Sequence, residues 1–156
     1  MALQSTTISG TIDAPREHVW EVIASPEQAA GTMPSISAVE MLTTGPYDVG
    51  TRWRETRTMM GRTETHVLEV SESVPLQRTV VSTSQDGVDY HTTLRLSPDG
   101  AGTRLAISFS GDQPRATRAR QLLVRLVGPV GAAMTRRMLR REWEEIRAAV
   151  LGTSPH

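Results

Sequence analysis

Residues 12–24, Ile-Asp-Ala-Pro-Arg-Glu-His-Val-Trp-Glu-Val-Ile-Ala, constrain the fold more than any other stretch of the chain. A short strand runs into Ala14-Pro15. Proline then stands where a helix can begin, because the first helical turn leaves its N–H unused. Val19, Trp20, Val22 and Ile23 come next at helical spacing and make one apolar face. That face needs a partner, and the rest of the chain must supply it.

The middle of the chain reads as consecutive hairpins. The pattern predicts a first strand over 4–12, helix one over 15–24, and a second short helix from Ser25-Pro26-Glu27 that Gly31 and Pro34 end. Further strands are predicted over 36–43, 51–60, 63–73, 77–85, 88–97 and 103–110. Met60-Gly61-Arg62, Asp86-Gly87 and Pro98 to Gly102 supply turns. Strands joined by turns this tight must be antiparallel. Gly111-Asp112-Gln113-Pro114 then breaks the last strand, and the remaining residues read as helical.

Two apolar stripes mark that helical region. One is Ala119, Leu122, Leu123, Leu126, Val127 and Val130; the other is Leu139, Trp143, Ile146 and Val150. At 100° per residue they fall on roughly opposite sides of one continuous helix. Gly128-Pro129 lies between them, so the sequence predicts a break there and a long packed helix over 129–151. The small residues Gly128, Gly131, Ala132 and Ala133 either leave volume beneath the helix or permit close backbone approach; both readings stand.

Composition narrows the chemistry. The 156 residues suit one domain, 1–156, able to bury about 68–70% of its unfolded surface. Aromatics are only 4%, so a pocket must be lined mainly by aliphatic, Met, Thr and Ser side chains. With no cysteine, disulfides and thiolate chemistry are excluded. All seventeen basic residues are Arg, which excludes a Schiff-base or P-loop lysine. Four scattered histidines do not suggest a metal site, and no G-x-S-x-G elbow or phosphate-cradling loop occurs. No cofactor is expected.

The N-terminus lacks the charge and apolar run of a signal peptide, and no apolar run approaches the roughly 20 residues a membrane span needs. The expectation is a cytoplasmic protein without integral membrane association. Net charge is zero, yet nine Arg lie between Arg115 and Arg147. An acidic partner docking on that helix is one reading. The plainer one is a solvated helix face; with no net charge to draw phosphate from afar, nucleic acid is not an expected partner.

Four stretches carry a family resemblance: Ala14-Pro15 to Val19-Trp20; Ser25-Pro26-Glu27 with Pro34 and Val39-Glu40; Gly45-Pro46 to Gly50-Thr51-Arg52-Trp53-Arg54; and Gly100-Ala101-Gly102-Thr103-Arg104-Leu105. With the C-terminal helix they cover nearly the whole chain. The chain resembles the START-like superfamily, also called SRPBCC, and within it the polyketide cyclase/dehydrase and lipid-transport branch. The resemblance implies an α+β helix-grip fold: a seven-stranded curved antiparallel sheet around a long C-terminal helix, with two short helices after strand one. It also implies a cavity for lipids, polyketides or other largely apolar molecules. It carries no universal catalytic motif.

Alternation along the strands then selects side chains. Leu68 and Val70 set the inward phase of strand four, which brings Glu64 and His66 to the same face. Trp53 and Met59 do so for strand three, with Glu55 and Arg57. Leu94 and Leu96 carry Tyr90 and Thr92 inward; strand seven offers Leu105, Ile107 and Phe109. Val130 and Met134 complete the expected ligand lining from the final helix. Glu55, Arg57, His66 and Tyr90 are the candidate acid/base set: Arg57 to polarise a ketone, His66 or Tyr90 to move a proton. The plainer reading makes Glu55 and Arg57 an ion pair at the cavity mouth, His66 exposed and Tyr90 core. His18 and His91 are out of phase. The leading expectation is a binding or transport protein for an apolar small molecule. The alternatives are a metal-free cyclase or dehydratase and an Arg-helix interaction protein, with a homodimer left open.

Overall fold

The protein, as a computed structural model, is described for residues 5–59, 61–112 and 118–152, with side chains of 118–130 excepted. In chain order the elements are β1 (Thr6–Ile12), α1 (Arg16–Ile23), a 3-10 turn (Pro26–Gln28), α2 (Ala29–Thr32), β2 (Ile36–Met41), β3 (Arg52–Met59), β4 (Arg62–Val74), β5 (Arg78–Gln85), β6 (Val88–Asp99), β7 (Gly102–Asp112) and α3 (Arg118–Leu151). The strands form one sheet in the order β1-β7-β6-β5-β4-β3-β2, antiparallel throughout. This is the helix-grip arrangement, α+β, with the first strand paired to the last and α3 laid across the sheet.

Local chemistry explains the boundaries. Pro15 sits in extended conformation, φ −68° and ψ 154°, and hands the chain from β1 into α1. Asp86 and Gly87 both take positive φ, 53° and 77°, as the two-residue turn between β5 and β6 requires. The turn predicted over Pro98 to Gly102 narrows to Gly100-Ala101, because β6 and β7 pair as far as Asp99 and Gly102. Register shifts at Ile36/Ala38 and Val70/Glu72 are bulges, the usual device for bending a sheet.

The core joins both layers: Ile12 and Leu105 from the sheet, Val19 from α1, Leu139, Ile146 and Val150 from α3. Trp20 is half-buried against this cluster, its ring edge-on to Tyr47 at 6.1 Å. Helix α3 packs on β1, β7 and α1. Its anchor is Trp143, whose Nε1–H donates to the Leu105 carbonyl at 3.0 Å. The indole lies so close to β1 that a Cβ at Gly10 would stand 2.7 Å from its Cζ2.

The helix corrects one expectation. It runs unbroken through Gly128-Pro129, as a single element of 34 residues. A proline forfeits one N–H bond and crowds one carbonyl, at a cost of about 3 kcal/mol, which the other bonds of a long helix can absorb. The inference of a break assumed that both apolar stripes must meet the same sheet; the side chains of the first stripe lie outside the described residues. The small residues there do not mark close approach at Gly131, where a Cβ would meet nothing within 4 Å.

Because the seat of α3 depends on the missing side chain at residue 10, Gly10→Ala should destabilise the protein by about 1–3 kcal/mol in urea unfolding. Combined with Trp143→Phe, which shortens the opposing ring, the two losses should be less than additive. Wild-type stability in Gly10→Ala would contradict this seat.

Candidate functional site

Alternation on β3 and β4 places one set of side chains on the inner face. The register pairs Trp53 with Leu68, Glu55 with His66, Arg57 with Glu64 and Met59 with Arg62. All eight line one cavity of about 510 Å³ between the sheet and the helices. The wall continues through Val81, Thr83 and Gln85 on β5, Tyr90, Thr92 and Leu94 on β6, and Phe109 on β7. The Tyr90 and Phe109 rings stack at 5.5 Å and 17°. The helical side contributes Val22 and Ile23 from α1, Met33 beyond α2, and Met134, Met138, Leu139, Glu142 and Ile146 from α3.

Of the residues selected by alternation, Trp53, Glu55, Arg57, Met59, His66, Leu68, Tyr90, Thr92, Leu94, Phe109 and Met134 therefore meet around one space. Ile107 does not line it; the residue is fully buried among core side chains. Val130 lies outside the described side chains. His18 is exposed, and His91 lies in a separate groove, its Nδ1 2.7 Å from Ser82 Oγ. Arg136, Arg137, Arg140 and Arg141 are exposed.

Sequence reasoning missed several wall residues. On β5, Val80-Val81 puts an apolar side chain on each face, so alternation alone leaves the phase open. Glu142 and Glu145 drew no attention as functional residues. A signal was present: Glu142 comes four residues after Met138 and four before Ile146, which places an acid within the buried row of the helix.

The polar groups form two sets. Deep in the wall, Glu55 is buried and fully used. One carboxylate oxygen accepts from Trp53 Nε1 at 3.2 Å; the other accepts from Arg57 Nε at 2.9 Å and lies 2.8 Å from Arg57 Nη2. Arg57 Nη1 stands 3.8 Å from Glu142 Oε2, too far for a hydrogen bond. Glu145, almost fully buried, accepts from the Ser35 N–H at 2.7 Å and its hydroxyl at 2.5 Å, tying α3 to the segment before β2. Among the described residues every buried side-chain nitrogen or oxygen has a partner. In the outer set, His66 Nε2 lies 3.1 Å from Glu64 Oε2 and Arg62 is mostly exposed.

Three carboxyls thus surround one guanidinium. Burial pushes the Glu142 carboxyl above the usual carboxylate range; Arg57 pulls it down, while Glu55 and Glu145 push it further up. For Arg57, burial acts downward, but Glu142 and Glu55 outweigh it and hold the guanidinium above its ordinary value. Burial also raises the Tyr47 phenol, against a hydrogen bond with Thr79. Among the described residues no three His, Asp or Glu side chains converge to hold a metal ion. An apolar wall with a charged cluster on one side and a His–Glu pair further out has the chemical make-up that suits a mostly apolar molecule with a polar end.

A raised carboxyl disfavours the folded state once it ionises. Its effect is absent below the unfolded value of about 4.3 and grows as pH rises through the raised folded value. Glu142→Gln should therefore unfold at a higher temperature than wild type at about pH 8, with the gap closing towards about pH 4. A gap that widens on acidification would contradict this assignment.

Comparison with known proteins places this geometry. Residues 4–151 match the family described as polyketide cyclase / dehydrase and lipid transport. No curated protein matches the sequence. Among solved structures, a START superfamily protein from Mycobacterium smegmatis superposes with a TM-score of 0.75 at 12% identity, covering 95% of this chain and 97% of that one. The Zhui aromatase/cyclase from Streptomyces sp. R1128 gives 0.67 at 20%, covering 97% and 93%. Truncated norcoclaurine synthase from Thalictrum flavum gives 0.73 at 16%, covering 99% and 96%. At such identities the likeness shows the fold.

Proposed function

The chain belongs to the polyketide cyclase / dehydrase and lipid transport family, and from that premise we propose that it binds an apolar small molecule in the cavity between sheet and α3. The observation that carries this reading is the cavity itself. About 510 Å³ lies within the usual range for small-molecule sites. Its wall is mainly aliphatic, aromatic and Met side chains, with polar groups gathered at Arg57–Glu142 and at His66–Glu64. Burying a ligand of this kind gains about 25 cal/mol per Å² of apolar surface, so the wall supplies affinity and the polar groups supply orientation. In this reading the protein works in the cytoplasm as a carrier or sequestering module.

A second reading, cyclisation or dehydration of a polyketide-like chain, draws on the same wall. Arg57, Glu55, His66 and Tyr90 converge on one space, and two relatives of the same fold are named as an aromatase/cyclase and a synthase. Acid/base work needs such groups within reach of the bound molecule.

Native mass spectrometry of protein purified from its own host should show a small molecule released on collisional activation. Leu68→Trp, which fills the wall, should lower the bound fraction at least about tenfold with the circular dichroism spectrum retained. Unchanged loading in that variant would sink the cavity reading. If the cyclase reading holds, Tyr90→Phe and His66→Ala should abolish turnover and spare binding; equal loss of both would favour the carrier.

A further inference from the structure

The two carboxyls nearest Arg57 are not equivalent. Glu55 holds the guanidinium through Nε and Nη2 and spends its second oxygen on Trp53, so its charge is matched and hydrogen-bonded. Glu142 faces the cavity across a 3.8 Å gap from Nη1, and among the described residues no donor lies within hydrogen-bond distance of its carboxyl. Arg57 is hydrogen-bonded to Glu55 and leaves Glu142, whose side chain is 20% exposed, without a bonded cation among the described residues. Burial without a hydrogen-bond donor favours the protonated form of Glu142. A protonated carboxyl offers an O–H donor, and Arg57 Nη1 offers an N–H from the other side of the gap.

We propose that Glu142 binds ligand as a neutral carboxylic acid, and that the cavity selects molecules bearing an uncharged carbonyl oxygen that bridges Glu142 and Arg57 from the cavity side. This rests on the cavity being a ligand site. The carbonyl oxygen has two lone pairs and, standing to the cavity side of the 3.8 Å pair, accepts one bond from each group. A carboxylate in the same place would meet Glu55 and Glu145 as like charges. The raised ionisation of Glu142 is consistent with this role. The charged and titratable groups around it are Arg57 and Glu55 from β3 and Glu145 on its own helix, itself 4.0 Å from Arg141, with Arg62, Glu64 and His66 of β4 and Tyr90 of β6 further along the wall. Recognition should therefore be strongest while Glu142 keeps its proton and weaken as pH rises through its ionisation.

The test uses two probes of one shape: methyl naphthyl ketone and the hydrocarbon in which a methylidene group replaces the carbonyl oxygen. Their affinities are read by calorimetry on the full chain across pH. In the wild type the ketone should bind about tenfold tighter, with the preference falling at high pH. Glu142→Gln keeps a donor and should keep the preference without its pH dependence. Glu142→Leu should bind both probes about equally. Equal affinities in the wild type, or a preference untouched by Glu142→Leu, would overturn the proposal while leaving the cavity as a ligand site. If neither probe binds, the cavity reading falls with it.

Discussion

One helix has to cover a sheet much wider than itself. Seven strands spaced about 4.8 Å apart span roughly 30 Å, whereas a helix with its side chains is about 10–12 Å across. Here α3 is seated on β1 and β7. The seat is specific: Trp143 fits against the bare backbone of Gly10 and bonds the Leu105 carbonyl. Fixed at that side, α3 faces β3 to β6 across a cavity instead of packing directly on them, with Met134, Met138, Leu139, Glu142 and Ile146 on its near wall. The cavity results from this geometry, and its wall is whatever the alternation of those strands presents.

That dependence explains how much was legible in the sequence. Turn chemistry at Pro15, Asp86-Gly87 and Gly100 set the element boundaries, since each needs a particular backbone conformation that few residues supply. Leu68 and Val70 fixed the phase of β4, Trp53 and Met59 that of β3 and Leu94 and Leu96 that of β6, and pairing brings Glu55, Arg57, His66 and Tyr90 to one face. The parts that stayed hidden depend on distant partners. Glu145 is buried because Ser35, far away in sequence, offers it two donors. Glu142 matters because Arg57, on a strand far away in sequence, lies 3.8 Å from it. The local spacing of α3 puts Glu142 in the buried row but encodes neither of these partners. Gly128-Pro129 shows the opposite error, a strong local signal overridden by the length of the helix that contains it.

The polar cluster also bears on what the cavity is for. A buried ion pair is commonly no more stabilising than apolar residues of the same volume. Glu55 is hydrogen-bonded through both oxygens to Trp53 and Arg57, while Glu142 stands 3.8 Å from Arg57 Nη1. Such asymmetry costs stability once Glu142 ionises, and in the proposed reading it gives a ligand one place where orientation is defined. The family, the fold and the wall all agree with a receptor of this kind.

The most direct measurement is an NMR titration of methyl-labelled methionines with a naphthyl probe. Met33, Met59, Met134 and Met138 line the cavity, whereas Met41 on β2 does not. Saturable shifts in those four methyls, with Met41 unmoved, are the result this account predicts. Saturable binding that moves Met41 and leaves the four cavity methyls in place would contradict it.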